Sequence, residues 1–75
     1  MQGLTDIYFD GSRFKQAREK AGLTQVEAAE KLGLLKQHIW SYENGKGKPS
    51  ADTLARACIL YGVEISEITS EVQAA

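Results

Sequence analysis

Seventy-five residues, 43% of them hydrophobic, with a formal net charge of −1, are enough for one small domain, near the size at which a lone core gives only marginal stability. A single cysteine excludes an intrachain disulfide and a cysteine-built zinc site, and no apolar run approaches the roughly 18 residues that a membrane span needs. The first residues lack the basic-then-apolar order of a signal peptide, so the expected setting is a reducing cytoplasm with no membrane, metal, cofactor or small-molecule ligand.

Taken in order, residues 1–9 (MQGLTDIYF) read as a short, partly apolar arm suited to an extended form, in which Ile7, Tyr8 and Phe9 can clip onto the rest of the chain or onto a second subunit. The domain proper is expected over residues 10–72, with 73–75 as a tail. Asp10 is placed to cap a first helix running to about Ala21, with Phe14, Ala17 and Ala21 inward at spacings of three and four, and Gly22 closing it. Thr24 followed by Glu27 is a capping box: the hydroxyl takes a free first-turn N–H while the carboxylate reaches back to the Thr24 N–H. A second helix therefore starts at Gln25, turns Ala28, Ala29 and Leu32 inward, and stops at Gly33.

A third helix begins near Leu35 or Lys36 and ends at Asn44-Gly45. At about 100° per residue, Leu35, Ile39, Tyr42 and Glu43 share one side, while Gln37, Ser41 and Asn44 share the other, flanked by Lys36 and Trp40 and by His38. Amide, hydroxyl, imidazole and ammonium groups on one helical face suit the reading of base edges, since Gln and Asn pair bidentately with adenine and Lys reaches bases or phosphates. An ordinary polar surface has the same composition, so the face alone does not decide.

Residues 45–50, GKGKPS, form either a phosphate-contacting loop through Lys46 and Lys48 or a solvated turn; the GxxxxGK[ST] spacing of a nucleotide-binding loop is absent. Ser50 caps a fourth helix, with Asp52 favourably placed in its first turn and Leu54, Ala57, Cys58 and Tyr61 inward. Cys58 thus reads as a small buried hydrophobe. After Gly62, the residues Val63, Ile65, Ile68 and Val72 predict a last short helix from about Ser66, part of it completing the core and part free for a partner subunit.

The charge is unevenly spread. Residues 1–10 carry −2 and residues 49–75 carry −3, whereas residues 11–48 hold eight bases against four acids, so the positive charge lies around the third helix.

Arg18 to Gln25 (REKAGLTQ), Ala29 to Gly33 (AEKLG), Ile39 to Gly45 (IWSYENG), then Pro49-Ser50 and Leu54, together resemble the helix-turn-helix family of phage repressors, Cro proteins and related bacterial regulators, over roughly residues 11–68. The resemblance implies an all-α, compact five-helix bundle of the lambda-repressor-like type in which helices two and three form the helix-turn-helix. It implies that Lys36, Gln37, His38 and Ser41 face base edges, that Gln25 meets the backbone or an outer base, and that Arg18 pairs with Glu43; Thr24, Asn44, Lys46 and Lys48 are further expected contacts to phosphates or an outer base. A homodimer on double-stranded DNA follows, with Ile65, Ile68 and Val72 as the expected dimer contact and occlusion of, or contact with, RNA polymerase as the output.

Three positions depart from the family pattern. Leu35 stands where Ser or Thr often caps the third helix. Ala28 replaces a larger residue, with Val26 or Trp40 expected to fill the space. Trp40 stands where a small residue is usual; packing against the bundle is its first expectation, followed by a sugar or thymine contact or a subunit contact. One His without a nucleophile at recognisable spacing, and carboxylates scattered over polar faces, argue against an enzyme. The competing reading is a protein-binding adaptor that keeps the helical fold and uses Trp40 and Tyr42.

Overall fold

A computed structural model describes the backbone of residues 5–73 and the side chains of residues 7–71. Strand β1 (Thr5–Phe9) leads into α1 (Gly11–Lys20), α2 (Gln25–Leu32), α3 (Lys36–Glu43) and α4 (Ala51–Tyr61); a single 3₁₀ turn, Ile65–Glu67, then delivers strand β2 (Thr69–Gln73).

Three of the helices begin where a side chain takes a first-turn N–H. Asp10 Oδ1 accepts from the N–H groups of Ser12 and Arg13, each at 3.1 Å. Thr24 Oγ1 accepts from Glu27 N–H at 3.0 Å while the Glu27 carboxylate accepts from Thr24 N–H at 2.9 Å, which also holds the Glu27 carboxyl below the usual carboxylate range. Ser50 Oγ accepts from Thr53 N–H at 3.2 Å. Between α2 and α3 the chain reverses through Gly33 at φ +68°, and Leu34 N–H returns to Ala29 O at 2.8 Å. That left-handed backbone costs glycine nothing and a β-carbon-bearing residue a strain.

Phe14, fully enclosed, is the hub of the core. Its ring meets Phe9 of β1 at 5.2 Å, Tyr61 of α4 at 5.3 Å and Tyr42 of α3 at 6.2 Å, all edge to face. Ala17, Ala28, Ala29, Leu32, Ile39, Ala57 and Ile68 complete it. Four of these are alanines, so the space is closed by bringing helices together rather than by bulky side chains. This corrects the expectation at Ala28: it is fully buried, yet Val26 and Trp40 are 46% and 48% exposed and neither fills in beside it. Close approach is most acute at Gly11, where a β-carbon would lie 2.3 Å from the carbonyl oxygen of Tyr42.

The expected fifth helix is absent from the described residues, and the all-helical class gives way to four helices with a small sheet. β1 pairs antiparallel with β2 in the register Phe9↔Thr69, Tyr8↔Ser70, Ile7↔Glu71. The stretch Ile68-Thr-Ser-Glu-Val72 is rich in branched side chains that suit a strand, and Asp10 fastens it: its N–H donates to Ile68 O at 2.9 Å and its carboxylate accepts the Ser70 hydroxyl. Arg13 Nη1 adds a bond to Thr69 O at 3.0 Å. Held in this way, Ile68 is fully enclosed.

Candidate nucleic-acid interface

The inner side of α3 is anchored by Ile39, fully buried, and by Glu43, 8% exposed. Glu43 owes its burial to three charged or polar donors. Arg18 Nε donates to Oε2 at 2.6 Å and Arg18 Nη2 to Oε1 at 3.0 Å, the two-pronged geometry that a guanidinium makes best, and Gln25 Nε2 donates to Oε1 at 3.0 Å. Arg18 Nη1 is taken by Leu23 O at 2.8 Å. Hydrogen bonding to Glu43 raises the Arg18 pKa above its ordinary value and keeps the guanidinium charged within the protein. One carboxylate at the end of α3 thus ties α1, α2 and α3 together and fixes the rotation of α3 about its axis.

With that side buried, Lys36, Gln37 and His38 project into solvent and Ser41 is half-buried beside them. His38 has a second task. Its Nδ1 accepts the N–H of Leu35 at 3.0 Å, which leaves Nε2 to carry the ring hydrogen as a free donor. Leu35, at the helix cap, has no side-chain acceptor of its own, and His38 three residues on supplies the half of a capping box that Glu27 supplies in α2.

The other site residues divide. Lys46 and Lys48 are exposed on the loop after α3, and with Gly45 and Gly47 they line a shallow depression against Phe9 and Gly11. Thr24 is engaged in its capping box, and Asn44 Nδ2 donates to Trp40 O at 2.8 Å. Gln25 gives one of its two amide N–H groups to Glu43, which leaves the other N–H and the carbonyl oxygen for an outward partner. Of the three residues expected at a dimer contact, Ile68 is corrected, being closed inside the core; Ile65 is 51% exposed, and the side chain of Val72 lies outside the described residues. Trp40, expected to pack inward, is half-exposed on α3 instead.

Sequence reasoning missed the Leu35–His38 bond, although its spacing of three equals that of Thr24–Glu27, and it missed the Gln25–Glu43 bond and the Gly11 contact. The last two depend on how helices meet and leave no local signal. Among the described residues no helix is long and apolar enough to cross a membrane.

Comparison with known proteins speaks to family and fold. A family described as helix-turn-helix matches residues 14–68. The HTH-type transcriptional regulator ImmR of Bacillus subtilis (strain 168) is 47% identical over 53 residues, covering 71% of this chain and 42% of ImmR. The chain spans less than half the length of the curated relatives it matches first. Among solved structures, the biofilm master regulator SinR, crystallised in complex with DNA, is 32% identical with a TM-score of 0.68, covering 75% of this chain and 90% of that one. The hydroxypropylphosphonic acid epoxidase of S. wedmorenis has a TM-score of 0.74 at 24% identity, over 80% of this chain and 32% of the enzyme, a likeness of fold alone.

Proposed function

The chain belongs to the helix-turn-helix family, and from that premise we propose that it is a sequence-specific regulator of transcription that binds double-stranded DNA as a homodimer in the cytoplasm, with α3 in the major groove. The observation that carries this reading is the fixed rotation of α3: the buried Glu43 leaves Lys36, Gln37 and His38 outward on a helix that cannot roll. The amide of Gln37 suits adenine, Lys36 suits guanine or a phosphate, and His38 Nε2–H and the Ser41 hydroxyl are added donors at base edges. Lys46 and Lys48 meet phosphates and set the register, with Thr24, Gln25 and Asn44 at the margin. The excess of bases over residues 11–48 supplies the long-range attraction. SinR, similar over most of its length, has been crystallised with DNA, which favours the same partner here.

In the dimer each α3 enters one of two successive major grooves roughly 34 Å apart on a pseudo-palindromic operator. Occlusion of RNA polymerase, or contact with it, is the output. Selection from random duplex DNA at low and moderate salt tests this: recovery of an inverted repeat with half-sites one turn apart supports it, and no enrichment at either salt by folded protein refutes it.

A second reading, a protein-binding adaptor, is favoured by Trp40, 48% exposed on α3 itself. The fold likeness to an epoxidase is in keeping with one fold serving several ends. Failure of the selection is its prerequisite.

A further inference from the structure

Trp40, the only tryptophan in the chain, is 48% exposed, and the core closes without it. The aromatic contacts among the described residues join Phe9, Phe14, Tyr42 and Tyr61 and leave the indole out. Its place on α3 is nevertheless firm. The Trp40 carbonyl oxygen accepts the N–H of Asn44 at 3.0 Å and the Asn44 side-chain amide at 2.8 Å, and Glu43 at the same end of the helix fixes its rotation. At 100° per residue Trp40 stands about 60° from Gln37, one turn after Lys36 and one turn before Asn44. Leu35, the other exposed apolar residue at this helix, lies about 140° away around the axis, so the indole is a lone apolar plate in a polar and basic setting.

We propose that Trp40 reads the C5-methyl group of a pyrimidine in the major groove. The inference deepens the DNA-binding function proposed above and rests on it. Apart from ring hydrogens, every group that a base pair presents in that groove is a hydrogen-bond donor or acceptor except the methyl of thymine. An apolar plate carried in beside Gln37 therefore has one favourable partner there, because a polar base edge under the ring would lose water and gain no bond. A protein partner would need a continuous apolar patch, which α3 lacks, whereas exposed Lys36 and the exposed Lys46 and Lys48 of the following loop complement a polyanion. Cytosine methylated at C5 carries its methyl at the same ring position as thymine. The contact that selects thymine over an unmethylated pyrimidine thus also tells methylated from plain cytosine, and makes binding responsive to methylation at that step.

The test compares duplexes that differ by this methyl alone. In the operator recovered by selection, each thymine is replaced in turn by uracil. At one position in each half-site the wild type is expected to lose affinity about 4-fold, the worth of one methyl group withdrawn from water, and Trp40→Ser to show no such loss there. Cytosine placed at that position should bind the wild type more weakly than 5-methylcytosine by the same factor. The ring lies outside the core, so Trp40→Ser should keep its helical circular dichroism. Emission of the sole tryptophan gives a second readout that needs no variant: the operator should shield it from quenching by acrylamide. Uracil tolerated at every position, uracil losses that all persist in Trp40→Ser, or an indole as open to acrylamide on the operator as in the free protein overturns the inference and leaves the regulator standing. A selection that enriches no sequence refutes both.

Discussion

His38 Nδ1 accepts the backbone N–H of Leu35 at 3.0 Å, so a residue proposed to meet base edges also holds the start of α3. Leu35 cannot cap the helix with its own side chain, and at 57% exposure it contributes little to the core. Leu35→Ser should therefore stabilise the fold by about 0.5 to 1 kcal/mol through a new cap. His38→Ala should cost stability in the wild type and less in the Leu35→Ser background, because the serine takes over the start of the helix. Urea midpoints of the four proteins give the coupling; strictly additive costs would show that the histidine bond holds nothing.

Gly11→Ala should be far more damaging than its size suggests. The added carbon would sit 2.3 Å from Tyr42 O and 3.0 Å from Glu43 O, both backbone atoms at the end of α3, which can yield only if two helices part. A loss of about 2 to 3 kcal/mol is expected from such overpacking. Gly47→Ala is the control: no atom lies within 4 Å of the new carbon, so its denaturation midpoint should match wild type.

The four helices were legible in the sequence because their signals are local. Asp10, the Thr24–Glu27 box and Ser50 start helices, and Gly33 and Gly62 end them, within a few residues of where each acts. The ribbon was not legible. The Asp10–Ser70 bond that seats β2 spans 60 positions, and the spacing of Ile65, Ile68 and Val72 fits a helical face as readily as a turn followed by a strand. The same division runs through the interface. The outward set of Lys36 and Gln37 follows from helical geometry alone, whereas the engagement of Gln25 by Glu43 and the exposure of Trp40 depend on how α2 and α3 meet.

Glu43→Ala should destabilise the fold by about 3 to 5 kcal/mol, since it leaves the Arg18 guanidinium, 7% exposed, without its counter-charge. Replacing both members with apolar residues of similar volume, Arg18→Met with Glu43→Leu, should recover most of that loss, because neither charge is then stranded. Thermal melts of the single and double variants decide the matter; a double variant no better than Glu43→Ala would mean that the pair does more than neutralise itself.

Asp10 gives the fold a definite response to acid. Hydrogen bonds from the Ser70 hydroxyl first, then from Ser12 and the N–H of Arg13, lower its carboxyl from the ordinary 3.8 to about 2. The folded value lies below the unfolded one, so the ionised form stabilises the native state; this contribution is complete above about pH 4 and disappears as the pH falls through about 2. Asp10→Asn should remove this part of the acid slope and lower stability at neutral pH by about 1 to 2 kcal/mol, solvent screening included. Urea midpoints of both proteins between pH 2 and pH 7 would converge at the acid end; parallel curves would exclude the linkage.

Gln37 and Lys46 stand for the two kinds of contact that the interface should make, and DNA binding can tell them apart. Gln37, exposed on α3, is assigned to a base edge, so Gln37→Ala should weaken binding to the selected operator by about 1 to 3 kcal/mol and relax preference at one base position, with little change on unrelated duplexes. Lys46, exposed on the following loop, is assigned to a phosphate, so Lys46→Ala should weaken all duplexes alike and reduce the slope of log affinity against log salt by about one. Titrations of both variants against operator and scrambled DNA at several salt concentrations provide the measurement. Neither side chain is part of the core, so a matching loss in both variants could not be put down to unfolding; it would mean that α3 reads no base through Gln37.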